Sequence, residues 1–120
     1  MKKNVLQFPS ASTHPNDTLD HQLRFAIANK RLIQFTYEGA QRVAEPHDYG
    51  VRDGLVKTLV YQRRKGNRQD DRARGWRSLE VSKIQDCIVL DDTFAGSRAR
   101  AEQQHLAWDV LFARVDQPDN

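Results

Sequence analysis

Between Tyr61 and Lys83 the chain gathers the residue types that recognise phosphate. Arg63, Arg64, Lys65, Arg68, Arg72, Arg74 and Arg77 are arranged around two rings, Tyr61 and Trp76, and Lys83 closes the run. A guanidinium can grip a phosphate through two parallel N–H donors. A flat ring can stack on a nucleobase for about 1–3 kcal/mol. Arg77 and Lys83 are the expected phosphate holders, with electrostatic capture from the loop cations Arg63, Arg64, Arg68 and Arg74 and stacking from Trp76 or Tyr61. Lys83 is the weaker holder, because an ammonium is a point charge without the planar fork. The competing reading makes Tyr61 and Trp76 core or rim residues and the arginines a solubilised loop. Asp70 and Asp71 interrupt the run and can pair with it locally.

Other chemistries find less support. The histidines at 14, 21, 47 and 105 show no metal-ligand spacing and no HExxH pattern, so they are read as surface residues. Glu45-Pro46 reads as a strand-edge feature rather than a general base. No Gly-rich phosphate loop, nucleophile elbow or catalytic carboxylate pair is visible, so the expectation is a protein that is not an enzyme and uses no metal or cofactor. The single cysteine, Cys87, excludes an internal disulfide and a cysteine-clustered zinc site. Its neighbours Ile88, Val89 and Leu90 read as a strand, which makes it a buried, inert thiol.

With 120 residues, 38% of them hydrophobic and 29% charged, the chain is one domain with room for a modest core. Net charge is +3 and unevenly spread: residues 60–84 carry eight basic and three acidic side chains, whereas residues 85–120 carry three and seven. A basic middle beside an acidic end suits an anionic partner on one face. The N-terminal apolar residues Val5, Leu6 and Phe8 are too few for a secretory segment, and no run approaches a membrane span. A soluble, cytoplasmic protein without membrane contact is expected.

Local patterns place these residues on elements. Residues 1–17 mix Pro, Ser, Asn and Thr without periodicity and read as a flexible tail. Asp17 or Thr18 can cap a helix to about Lys30, with Leu19, Leu23, Ala26 and Ile27 as its apolar stripe. Ile33, Phe35 and Tyr37 alternate with Gln34 and Thr36 as in a half-buried strand, and Glu38 to Gln41 is a polar turn into a second strand from Arg42. Pro46 restricts that strand to an edge, a bulge or an early end, since it has no amide to donate. Asp53-Gly54 is a turn into a third strand over residues 55–61. Residues 63–75 read as a solvated loop, followed by strands over residues 76–82 and 84–90. Ser97 can cap a final helix to Val115.

Five short strands joined by hairpin-scale turns predict a mainly β fold with flanking helices. The expected form is a five-stranded SH3- or Sm-like small barrel over residues 18–96, because closure removes exposed edges. The helix before it belongs to that unit, a C-terminal helix over residues 97–115 packs on the barrel or a partner, and residues 116–120 form a tail. Leu106, Ala107, Trp108, Val110, Leu111, Phe112 and Val115 cover more than half of that final helix, which leaves either a groove-seated helix or a dimer contact through Leu106, Trp108, Leu111, Phe112 and Val115.

Three segments together resemble the WYL domain family: LRFAIANKRLIQFTYEG, RVAEPHDYGVRDGLVKTLVYQ and WRSLEVSKIQDCIVLDDTF. The similarity spans residues 19–94. The triplet that names the family falls at Lys57-Thr58-Leu59, where only the leucine survives. Arg77 stands at a family arginine, while Lys83 and Ser82 replace a second arginine and an aspartate. The resemblance implies a five-stranded Sm-like barrel used as a ligand-sensing module in bacterial regulators, with single-stranded DNA among the family's ligands. Most members carry a helix-turn-helix ahead of this module. The expected function is therefore binding of an anionic ligand, single-stranded nucleic acid or a nucleotide-like phosphorylated molecule, on a basic barrel face. The alternative is a dimerisation or protein-interaction module that serves a separate transcriptional regulator and does not touch nucleic acid.

Overall fold

The computed structural model describes residues 15–98 and 107–119, so residues 1–14 of the expected 1–17 tail and Leu106 of the expected interface lie outside the described residues, while residues 15–17 already belong to the first helix and correct the tail's end. Helix α1 runs from Pro15 to Ala28. Leu19, Leu23, Ala26 and Ile27 are its buried stripe. It ends where Lys30 adopts a left-handed conformation with φ of 53°. Six strands follow: β1 (Arg31–Tyr37), β2 (Ala40–Arg52), β3 (Leu55–Lys65), β4 (Gly75–Glu80), β5 (Gln85–Thr93) and β6 (Val110–Arg114), with a 3-10 turn at Val81–Lys83 between β4 and β5.

Two tight turns set the register. Glu38-Gly39 and Asp53-Gly54 both have positive φ at their two central positions. That is the hairpin turn whose twist matches the flanking strands. Tyr37 therefore faces Ala40, and Arg52 faces Leu55.

The strands make one antiparallel sheet in the order β4-β3-β2-β1-β5, with β6 joined to β2. The sheet is open, and this corrects the expected closed barrel. Among the described residues its terminal strands, β4 and β5, pair only with β3 and β1 respectively, so the cylinder is not shut. Exposed edges do not force closure, because they can be handled locally. The outer strands are short or bounded by the 3-10 turn, and α1 lies against β1, β2, β5 and β6.

The second correction concerns the C-terminal helix. Among the described residues, 107–119 contain no helix, and Val110–Arg114 is a strand. Apolar side chains spread around most of a helical wheel are a poor amphipathic helix. In a strand the same residues divide between two faces. Val115 is buried, Phe112 packs edge-on against Tyr49 at 5.1 Å, and Val110 and Leu111 remain exposed.

Strand β2 accommodates both neighbours by changing partners. Residues 40–44 pair with β1, and residues 48–51 pair with β6 on the same side. Pro46 falls in the gap between them, where no amide is required. A register shift at His47 on the β3 side completes the bend. The strand thus continues through its proline instead of stopping there.

Gly50 faces β6 so closely that a Cβ there would run into Val110 O, Leu111 Cα and the Trp108 ring. Among the described residues no helix is long and apolar enough to cross a membrane.

Candidate functional site

The basic segment is a built structure rather than a free projection. Strand β3 extends through Lys65, and Lys65 and Arg68 exchange both backbone hydrogen bonds. The amide of Gly66 donates to Gln41 O at 2.7 Å, and Asp70 O accepts from the amides of Ala73 and Arg74. Gln62, fully buried in the sheet, donates through Nε2 to Ala73 O at 2.6 Å and accepts from Arg42 Nη1 at 3.1 Å. Arg42 in turn donates to Tyr37 O through Nε and Nη2. Ala73 itself is buried. The solvated loop is therefore shorter than the sequence suggests, and its returning limb is tied to the sheet.

One irregularity in β3 makes a site. Val43 pairs with Arg64 but Ala44 pairs with Gln62, so Arg63 is an extra residue in the ladder. Such a bulge re-aims side chains that simple alternation would send to opposite faces. As a result Arg63 and Arg64 both line a depression of about 300 Å³, together with Gln69 and Arg74 from the loop and Asp92 from β5. Leu32, Val43 and Leu90 complete its walls. Among the described residues, the guanidinium groups of Arg64 and Arg74 have no hydrogen-bond or ion-pair partner. Three guanidinium groups and one carboxylate give the depression a positive balance.

The aromatic pair stands alongside. Glu45, Tyr61 and Trp76 are register partners across β2, β3 and β4, so their side chains share a face. Tyr61 and Trp76 meet edge-on at 5.5 Å, and Trp76 is 39% exposed. The Arg98 guanidinium lies 4.1 Å from the centre of the Tyr61 ring. Arg63 also borders a second cavity of about 230 Å³ beneath the Phe94–Arg98 segment, lined in addition by Glu45, Arg98 and Pro118. Through Arg63, the basic depression and the aromatic face adjoin.

Two candidates named from the sequence stand elsewhere. Arg77 folds back on its own neighbourhood, donating to Trp76 O at 2.9 Å and to Arg72 O at 3.1 Å. Its guanidinium supports the loop backbone. Lys83 sits in the 3-10 turn and pairs with Glu80 at 3.5 Å. Glu80 is opposite Lys57, so at about 3.3 Å per residue roughly 23 Å of β3 separates that level from Arg64. Arg68 belongs to the loop but faces Asp70 at 3.8 Å. Of the sequence candidates, Arg63, Arg64, Arg74, Tyr61 and Trp76 are brought together; Arg77 and Lys83 are not.

The residues missed by sequence reasoning lie in Glu45-Pro46-His47-Asp48. Glu45 is 1% exposed and His47 is 2% exposed, which corrects their reading as strand-edge and surface residues. Glu45 Oε1 accepts from Arg98 Nε at 2.6 Å, and Oε2 accepts from Arg63 Nε at 2.7 Å and Arg98 Nη2 at 2.9 Å. Burial alone would raise its carboxyl pKa, but the hydrogen bonds and charges of Arg98 and Arg63 outweigh it and hold the group below its ordinary value. The His47 ring donates through Nδ1 to Glu45 O at 2.9 Å, because Nε2 accepts from the Arg98 amide at 3.1 Å. Burial holds this imidazole below its ordinary pKa, so it is neutral.

Asp48 accepts from Arg114 Nε at 2.9 Å, Arg114 Nη2 at 3.2 Å and Trp108 Nε1 at 3.1 Å. Glu45, His47 and Asp48 bolt the C-terminal strand and the 94–98 segment onto β2. Single acidic residues, Glu45 and Asp48, on either side of Pro46-His47 in a strand were the only local signal. Apart from Arg63, the side chains and amide that hold them, on Arg98, Trp108 and Arg114, are more than fifty positions away in the chain.

Of the expected interface residues, Trp108, Phe112 and Val115 are engaged within the chain, and Leu111 is 40% exposed. Cys87 keeps part of its surface accessible, yet burial pushes its thiol up to about 12, far from a reactive thiolate. Among the described residues no His, Cys, Asp or Glu cluster could hold a metal ion. No protein-family model matches this chain, and no curated protein or solved structure matches it either.

Proposed function

We propose that this protein binds a phosphate-bearing ligand, with single-stranded nucleic acid as the leading candidate, on the face formed by Arg63, Arg64, Arg74, Tyr61 and Trp76. The observation that carries this reading is the depression into which one bulge and one anchored loop deliver three guanidinium groups, two of them unengaged among the described residues. Trp76 and Tyr61, adjoining it, offer a partly exposed aromatic surface on which a base can stack. The site fits binding rather than catalysis, since its buried carboxylate is saturated by arginines and its histidine is held neutral. The WYL resemblance of residues 19–94 supports a ligand-sensing role in a bacterial regulatory system. A cytoplasmic setting, supported by the single cysteine, is part of the proposal.

The test is fluorescence anisotropy of a short fluorescein-labelled oligothymidylate at low ionic strength. Binding should weaken steadily with salt, and Arg64→Ala combined with Arg74→Ala should flatten that dependence by about two phosphate contacts. No anisotropy change with micromolar wild-type protein refutes the proposal.

A second reading rests on a different observation. Leu55, Val56, Val110 and Leu111 are exposed at the β2–β3 turn end of the sheet, remote from the basic depression. They suit a protein contact, either a second copy or a separate regulator. Light scattering of the wild type against Leu111→Asp tests self-association: a persistent monomer in both rejects the dimer form.

A further inference from the structure

Arg63 is the one arginine of the depression with a fixed partner, and that partner is the least exposed carboxylate in its surroundings. Its Nε donates to Glu45 Oε2 at 2.7 Å, and its two Nη atoms have no partner among the described residues. The guanidinium is planar, so fixing Nε fixes the direction of the remaining fork. The side chain is 35% exposed and borders the depression, while the carboxylate that holds it is 1% exposed. On the far side the same carboxylate takes two bonds from Arg98, which leaves it no freedom to follow Arg63 outward. Burying such a group is rarely the cheapest way to stabilise a fold, since packed apolar residues often serve as well. What it supplies here is direction.

We infer that Glu45 is the positioning residue of this anion site: its buried carboxylate grips Arg63 by Nε and presents the free Nη pair to an incoming phosphate. The inference rests on the anion-binding reading and adds a residue that never touches the ligand. An arginine already held in its binding orientation loses less rotamer freedom when the anion arrives. Arg64 and Arg74, which lack such a hold, contribute charge with less geometric selectivity. The site therefore favours an oxyanion that can take two parallel N–H donors, as a phosphodiester does, over a spherical anion of equal charge.

Simple electrostatics and positioning predict opposite signs for one variant. Glu45→Gln removes a negative charge beside the site, so a pure charge effect tightens oligothymidylate binding. Positioning loosens it, by about tenfold, as partners that orient binding groups commonly do. Arg63→Lys supplies the second arm, keeping the charge but losing both Nε and the fork. It should bind nearly as weakly as Arg63→Ala while still unfolding cooperatively.

In the folded wild type the Arg63 Nε–H resonance should exchange slowly with solvent, since its proton is engaged with a buried oxygen. A Glu45→Gln protein that melts cooperatively and binds as well as wild type overturns the inference. Should that variant fail to fold, Arg63→Lys decides: wild-type affinity there overturns it, and loss close to that of Arg63→Ala upholds it. Rapid exchange of Arg63 Nε–H in the wild type also overturns it. Absence of binding by the wild type removes the anion site and this inference together, whereas failure confined to the variants removes the inference alone.

Discussion

Gly50→Ala tests the attachment of the C-terminal strand most directly. The added methyl has no space, because its nearest neighbours are the backbone of Val110 and Leu111, which cannot rotate aside, and the Trp108 ring, which is hydrogen-bonded to Asp48. Strand β6 must move outward, and what it loses can be named. The Asp48 carboxylate accepts three hydrogen bonds from Arg114 and Trp108, and Val115 is buried in the core. Hydrogen bonds to charged groups contribute about 1.5–3 kcal/mol each, and a buried valine is at the lower end of 1.5–3 kcal/mol. The Arg114 side chain is 31% exposed, so solvent screens its share.

Ordering the strand offsets much of the rest, and overpacking of this kind typically costs about 1–3 kcal/mol. At about 4–8 °C per kcal/mol for a domain near 100 residues, the midpoint of thermal unfolding should fall by roughly 10 °C. Hydrogen exchange reports the location: the amides of Asp109 and Val115, bonded to Val51 O and His47 O, should lose protection while those of β1 keep it. A variant that melts within a degree of wild type with both amides protected refutes the placement of β6.

Three further outcomes follow from the same coordinates. His47 has a folded pKa below its ordinary 6.5, chiefly through burial, so the unfolded chain binds more protons in that window. Stability is then fully present above pH 6.5 and falls as pH drops through the folded value, by up to about 1.4 kcal/mol per pH unit; urea melts from pH 7 to 5 should show this slope, and His47→Asn should flatten it. Asp48→Asn leaves the Arg114 guanidinium uncompensated, and should lower the urea midpoint with a larger effect than Asp20→Asn, whose Arg24 partner is on the exposed helix surface. Arg77→Ala should loosen the 66–74 loop rather than delete a phosphate contact: oligonucleotide affinity should drop modestly with an unchanged salt slope, and an altered slope contradicts the assignment.

Local chemistry made several elements readable from the chain. Alternation across residues 33–37, the Asp53-Gly54 turn and the Leu19, Leu23, Ile27 stripe all lead to observed elements, because each depends on near neighbours. The features that failed depend on distant ones. Pro46 halts a strand only if an amide is needed there, and the switch from β1 to β6 removes that need. The 110–115 run can serve a helix or a strand, and the waiting flank of β2 decides between them.

Closure of the sheet was inferred from a general liability of edges, which says nothing about how a particular chain manages them. For the site, composition found the basic cluster but could not sort it. The bulge at Arg63 unites Arg63 with Arg64, and the carbonyls of the loop claim Arg77. Glu45 and Arg98 were invisible as a pair because 53 positions separate them.

Among the described residues strand β6 takes its ladder hydrogen bonds from β2 alone, and it arrives from the far end of the chain. That makes it a detachable cartridge: a peptide comprising residues 107–119 carries its own fasteners, Trp108 and Arg114, for the Asp48 socket. Cutting the backbone between Arg98 and Ala107 should leave two fragments that reassemble when mixed. By the same logic, any extended segment offering an indole and a guanidinium at that spacing is a rival for the berth.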